Sequence, residues 1–194
     1  MRAAVFASFL AGLAGPVAAQ TLDTSGARAV LFRADGYVVQ VSGQLSERDR
    51  ATVRALIPVM SKEMGQDIGY YSSIAYAPDE GLISEALQGA MNYHSPAASD
   101  RAALAACDRA RKGGRPCALA GRVVPKNFAP APFTMSHGAT EAFERDYRRQ
   151  RGAKSFAISP SGGTWGIGRS DAEAVAECRS AGQGAGDCTV VIRD

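Results

Sequence analysis

Two histidines, His94 and His137, are the side chains best suited to acid–base or metal chemistry, because a neutral imidazole binds metal and titrates near neutrality. His94 follows Tyr93, and His137 follows Ser136. A serine, a histidine and a distant carboxylate would make a hydrolase. Ser136 and His137 are adjacent, however, and neighbours on an extended strand point to opposite faces. No G-x-S-x-G elbow is present. The enzymatic reading that remains is a hydrolase or metal-dependent enzyme using His94 and His137 together, and their spacing matches no zinc pattern. The four cysteines fall into two equally spaced pairs, Cys107 with Cys117 and Cys178 with Cys188. Neither pair is C-x-x-C, so the metal reading is weak. Equal spacing points to the disulfides Cys107–Cys117 and Cys178–Cys188, out of three connectivities that the sequence permits. The glycine-rich stretch Gly162–Gly168 lacks the P-loop lysine and the dinucleotide fingerprint. The residues therefore identify no catalytic set, no metal ligands and no cofactor.

Other side chains suit binding better than reaction. Trp165, the single tryptophan, is either core or a stacking platform for a sugar or peptide. Tyr93 and His94 stand side by side as a second candidate contact. Arg145, Arg148 and Arg149, continued by Arg151 and Lys154, form the densest basic run. On a helix starting at Ala139 these cations complement the helix C-terminus, offset by Glu144 and Asp146. The alternative is contact with an anionic surface.

These residues sit on a repeated pattern. Ser73–Gly81 aligns with Ser155–Gly163, and Ser99–Arg122 aligns without gaps with Ser170–Arg193. The Ser-Asp pair, both cysteines and the final arginine coincide. The first copy carries an insertion within residues 82–98, which holds Tyr93 and His94. In the second copy the sequence predicts a strand at Lys154–Ser159, a return strand at Thr164–Gly168, a helix opened by Ser170 with Glu173 as capping partner, and a last strand at Cys188–Ile192. Upstream it predicts a strand at Tyr37–Ser42 and a helix from Ser46 with an apolar face at Val53, Leu56, Ile57, Met60 and Met64, kinked or split at Pro58. It also predicts a short strand at Phe133–Ser136 and a helix over Ala139–Arg149. The expected fold is α+β: duplicated strand–strand–helix–strand units forming one mixed or antiparallel sheet body, with helices packed on it. The expected divisions are a first half at 20–124 with its repeat at 67–124, a Pro-rich linker at 125–132, and a second half at 133–194 with its repeat at 154–194.

Residues 1–19 read as an export signal: Arg2, a short apolar run, then Val17-Ala18-Ala19 before a cleavage point ahead of Gln20. The apolar run is too short to span a membrane. A hydrophobic content of 46% and a charged content of 21% exclude wholesale disorder. A net charge of +3 is too small to point to nucleic acid. The expected location is the periplasm or the outside of a bacterial cell, where disulfides persist.

The string Ser155-Phe156-Ala157-Ile158-Ser159-Pro160, then Gly163-Thr164-Trp165-Gly166, an Ala-rich helix ending at Cys178, and Gly186-Asp187-Cys188-Thr189-Val190-Val191 resembles the DUF4189 family. The resemblance covers Ser73–Arg122 more loosely. It implies a small exported α/β domain with a paired cysteine, and it carries over no catalytic residue. Secreted chains of this design are also associated with the name 5-aminolevulinate synthase. The residues do not support that activity, since a pyridoxal-phosphate enzyme of that type needs a large two-domain fold. The sequence therefore reads as a non-catalytic binding module of the cell envelope. Its partner class is an anionic envelope component or a periplasmic protein.

Overall fold

The computed structural model describes residues 21–65, 67–182 and 185–194. The expected signal 1–19 and the cleavage point before Gln20 lie outside the described residues. Helices begin where the sequence supplies a short oxygen-bearing side chain, which satisfies backbone donors that the first turn leaves unpaired. Asp23 caps α1 (Thr24–Val30) by accepting from the Gly26 N–H at 2.6 Å. Ser46 caps α2 (Glu47–Met64) through the Asp49 N–H at 3.2 Å. Helix α2 continues through Pro58 without splitting and turns Val53 and Ile57 into the core.

Strand β1 (Tyr37–Val41) lies between these helices in sequence. A strand–strand–helix–strand run follows: β2 (Ser72–Tyr76), β3 (Gln88–Ala90), α3 (Pro96–Ala110) and β4 (Ala118–Pro125). After α4 (His137–Ala142) comes a second such run: β5 (Ser155–Ile158), β6 (Trp165–Gly168), α5 (Asp171–Ala181) and β7 (Thr189–Arg193). Phe133–Ser136 is not a strand. Ser136 instead accepts from the Ala139 N–H and starts α4 at His137, two residues earlier than the sequence predicts. The helix then passes into a π-helical turn at Phe143–Tyr147 and stops short of Arg149.

The fold is α+β with two disulfides, and its strands divide between two antiparallel sheets rather than one sheet body. The four-stranded sheet runs β1-β4-β2-β3 and the three-stranded sheet β6-β5-β7. The outer edge of β7 is already taken. Leu22 donates to Val191 O at 2.9 Å and accepts from the Arg193 N–H at 2.8 Å. Thr24 N–H then reaches the Asp194 carboxylate at 2.9 Å. An edge so occupied cannot extend into the other sheet. Leu22, Ala27 and Leu31 consequently join Phe143, Tyr147, Phe156 and Ile192 in one apolar cluster. The opening segment thus packs on the second sheet, although the sequence division places it in the first half.

The two runs agree in detail. Each central strand meets its last strand with a register shift, between Ile74 and Ala75 and between Phe156 and Ala157. Ser73 lies opposite Arg122, and Ser155 opposite Arg193. Each serine donates to an aspartate early in the following helix, Ser73 to Asp100 at 2.7 Å and Ser155 to Asp171 at 2.6 Å. Each aspartate pairs with the cross-strand arginine, Arg122 or Arg193. Cys107–Cys117 and Cys178–Cys188 both join helix to last strand with Cα atoms 6.1 Å apart. They differ at the helix start. Ser95, not Ser99, caps α3, so α3 has an added turn ahead of the point that matches Ser170.

Alternation along β2 and β5 gives each sheet two unlike faces. Ile74 and Phe156 face clusters of large side chains, while Ala75 and Ala157 face alanines and the disulfide. Glycines let the helix close on the small face. A Cβ on Gly166 would collide with Cys178 N and Ala174 O of α5. Gly166→Ala should therefore lower stability by about 1–3 kcal/mol through overpacking. Gly43→Ala, which meets nothing within 4 Å, serves as the neutral control. Urea midpoints measure both, and equal midpoints would contradict the close packing.

Candidate functional site

The insertion of the first run carries β3 and then docks the two runs together. Tyr93 extends the β2–β3 ladder by exchanging backbone hydrogen bonds with Tyr71 at 3.2 and 2.8 Å. The next residue, His94, is 2% exposed. Its N–H donates to Gly162 O at 3.2 Å, and its carbonyl accepts from Thr134 Oγ1 at 2.7 Å. Its ring Nδ1 accepts from the Ser136 N–H at 3.1 Å, and Nε2 lies 2.8 Å from Thr164 O. A backbone donor at one nitrogen and a backbone acceptor at the other fix the neutral Nε2–H tautomer. Burial pushes the imidazole down to about 4, against the Thr164 hydrogen bond and the Asp187 charge, which favour the cation. The ring has no nitrogen left for a metal ion or for proton transfer. Gly163 makes the docking possible, because a Cβ there would strike Asn92 O.

His137 faces elsewhere. Its ring lies edge-on to Tyr70 with centroids 5.2 Å apart, and its N–H donates to Tyr70 O at 2.6 Å. Among the described residues, no group of three or more His, Cys, Asp or Glu gathers in a metal-holding arrangement. Trp165 is half-buried and stacks on Phe156 at 5.8 Å. Tyr93 is half-buried against the alanines of the small face. Arg145 pairs with Asp146 at 3.2 Å, and Arg148 pairs with Glu144. Lys154 reaches Asp194 at 3.4 Å and lies over the Tyr147 ring. Arg149 is exposed, with no ion pair among the described residues. The basic run is largely neutralised by its own neighbours.

Of these candidates Arg145 lines a sizeable cleft among the described residues. This cleft of about 700 Å³ lies between the segment from α1 to Asp35 and the helix from Thr140 to Arg145. Leu31, Phe32 and Ala34 give it apolar wall, and Arg28, Arg33, Asp35, Glu141, Glu144 and Arg145 bring charge of both signs. The Tyr70 hydroxyl donates to Phe32 O at 3.3 Å beside it. Burial raises the Tyr70 phenol, Thr140 opposes the rise, and the carboxylates of Asp35 and Glu141 add to it. Glu144 and Arg145 stand on the π-helical turn, a distortion frequent at functional sites. Arg28, Arg33, Asp35 and Glu141 carry no sequence signal of their own. They meet only because residues 22–31 pack on the second sheet.

Comparison of the chain with protein-family models, with curated proteins and with solved structures finds no match.

The His94 junction makes stability depend on pH. The ordinary histidine value is 6.5 and the folded value about 4, so the unfolded chain binds more protons in between. The contribution is complete above pH 6.5 and is lost as pH falls toward 4, about 3 kcal/mol in all. Asp187 is the charged neighbour of this junction. Burial raises its carboxyl, but hydrogen bonds from Ser159 and Ser161 outweigh that and hold it below the usual carboxylate range. Urea unfolding at pH 7 and pH 4.5 measures the loss. His94→Gln should be less stable at pH 7 and nearly flat across the window. A wild-type midpoint that does not fall would contradict the assigned tautomer.

Proposed function

We propose that this chain is an exported bacterial cell-envelope protein that binds a small ligand in the cleft between α1 and α4 and does no chemistry. The observation that carries this reading is the cleft itself. It is concave, has apolar wall, and is lined by charged side chains free to meet a solute. The one imidazole at the centre of the fold is held by backbone on both nitrogens. The ligand is an envelope component, though not one recognised by a continuous basic surface, since Arg145 and Arg148 have carboxylate partners.

Export is supported by two disulfides, which suit an oxidising compartment. Among the described residues, no helix is long and apolar enough to cross a membrane. With the expected signal at 1–19, these features favour the periplasm or the cell exterior. The two runs are read as an internal duplication of a DUF4189-like unit, the second copy being the clearer. The Ser–Asp–Arg set present in each run supports that reading.

The test fills the cleft. Ala34 lines it, so Ala34→Trp should occlude it without touching either disulfide. Wild type and variant, each incubated with soluble envelope extract and washed, are analysed for retained small molecules by mass spectrometry. Small molecules held by wild type and lost by the variant are expected. Equal retention, or none by wild type, would remove the cleft from the function.

A further inference from the structure

The charges of the cleft separate into those already satisfied and those that are not. Arg145 is engaged by Asp146, and Glu144 by Arg148. Arg28, Arg33, Asp35 and Glu141 line the same cavity, all exposed, and none forms an ion pair among the described residues. Two cations and two anions are therefore left facing one space. Asp35 and Glu141 both line the cleft and both lie near enough to the Tyr70 phenol for their charges to raise it. Arg28 and Arg33 stand on α1 and on the segment just after it. Between them in sequence lie Leu31 and Phe32, whose half-buried side chains form apolar wall.

Resting on the reading of this cleft as the ligand site, we infer that its ligand is a short peptide-like zwitterion with a free amino group and a free carboxylate. The ammonium meets Asp35 and Glu141, the carboxylate meets Arg28 and Arg33, and an apolar side chain covers Leu31 and Phe32. Guanidinium is suited to a carboxylate because it donates two parallel hydrogen bonds. A polyanion would be repelled by Asp35 and Glu141, and a polycation by Arg28 and Arg33, so the lining rejects ligands of one sign. A cleft of about 700 Å³ has the volume usual for small-molecule sites and more than one amino acid fills. That favours a peptide of a few residues.

The experiment is calorimetric titration of the full chain, disulfides oxidised, with alanyl-leucyl-alanine, its N-acetyl form, its C-terminal amide and free leucine. The free tripeptide should bind, and each blocked form should bind about tenfold or more weakly, the usual effect of losing a charge-assisted hydrogen bond. Arg28→Ala with Arg33→Ala should lose affinity and no longer distinguish acid from amide. Glu141→Gln should no longer distinguish amine from acetamide. All three positions are exposed, so circular dichroism should show unchanged folding. Blocked peptides that bind as well as the free one would overturn the zwitterion assignment, and so would no binding of tripeptide or leucine. If Ala34→Trp still abolishes retention of other envelope molecules, the cleft remains the ligand site and only its ligand class falls. If it does not, both readings fall.

Discussion

A buried neutral imidazole must find a donor for one ring nitrogen and an acceptor for the other, because either one left unpaired in the interior is costly. His94 finds both in backbone that belongs to other parts of the fold. Ser136 N–H comes from the cap of α4, and Thr164 O comes from the turn before β6. The relative placement of the first run, the α4 cap and the second hairpin is therefore fixed at one side chain. Thr134 and Gly162 add bonds to its main chain. The cleft depends on this junction at one remove, because Thr140, Glu141 and Arg145 are carried by the helix that Ser136 starts.

The two sheets meet the cost of small cores in the same way. Each central strand shows large side chains to one side and alanine to the other. The alanine side draws a helix close and locks it with a disulfide between helix and last strand. Small residues bury little apolar area, so a covalent link supplies what packing there lacks. The large side takes α2 in one case and the α1–α4 pair in the other.

Local chemistry made much of this legible in the sequence. Ser46 and Ser170 mark helix starts because capping is a matter of residues three apart. Equal cysteine spacing anticipates both disulfides, and the β5–β7 pattern is placed to within a residue or two. What escaped was decided at long range. Ser95 and Ser99 are both good caps, and the longer loop of the first run selects Ser95. Phe133–Ser136 has strand-like residues but no neighbouring strand to pair with. Trp165 is half-buried and stacks on Phe156, a contact made across strands. The cleft was invisible, since Arg28 and Glu141 are unremarkable surface charges until α1 is laid against α4.

The seating of Leu22 beside β7 also has a consequence in time. Residues 22–31 are made long before residues 189–193, yet they share one ladder and one apolar cluster. While the chain is growing, Leu22, Ala27 and Leu31 have no finished surface to cover. The first sheet, whose strands all precede the α4 segment, has its own members in hand much sooner. The earliest part of the described chain thus meets its packing partners only once the latest part has been made.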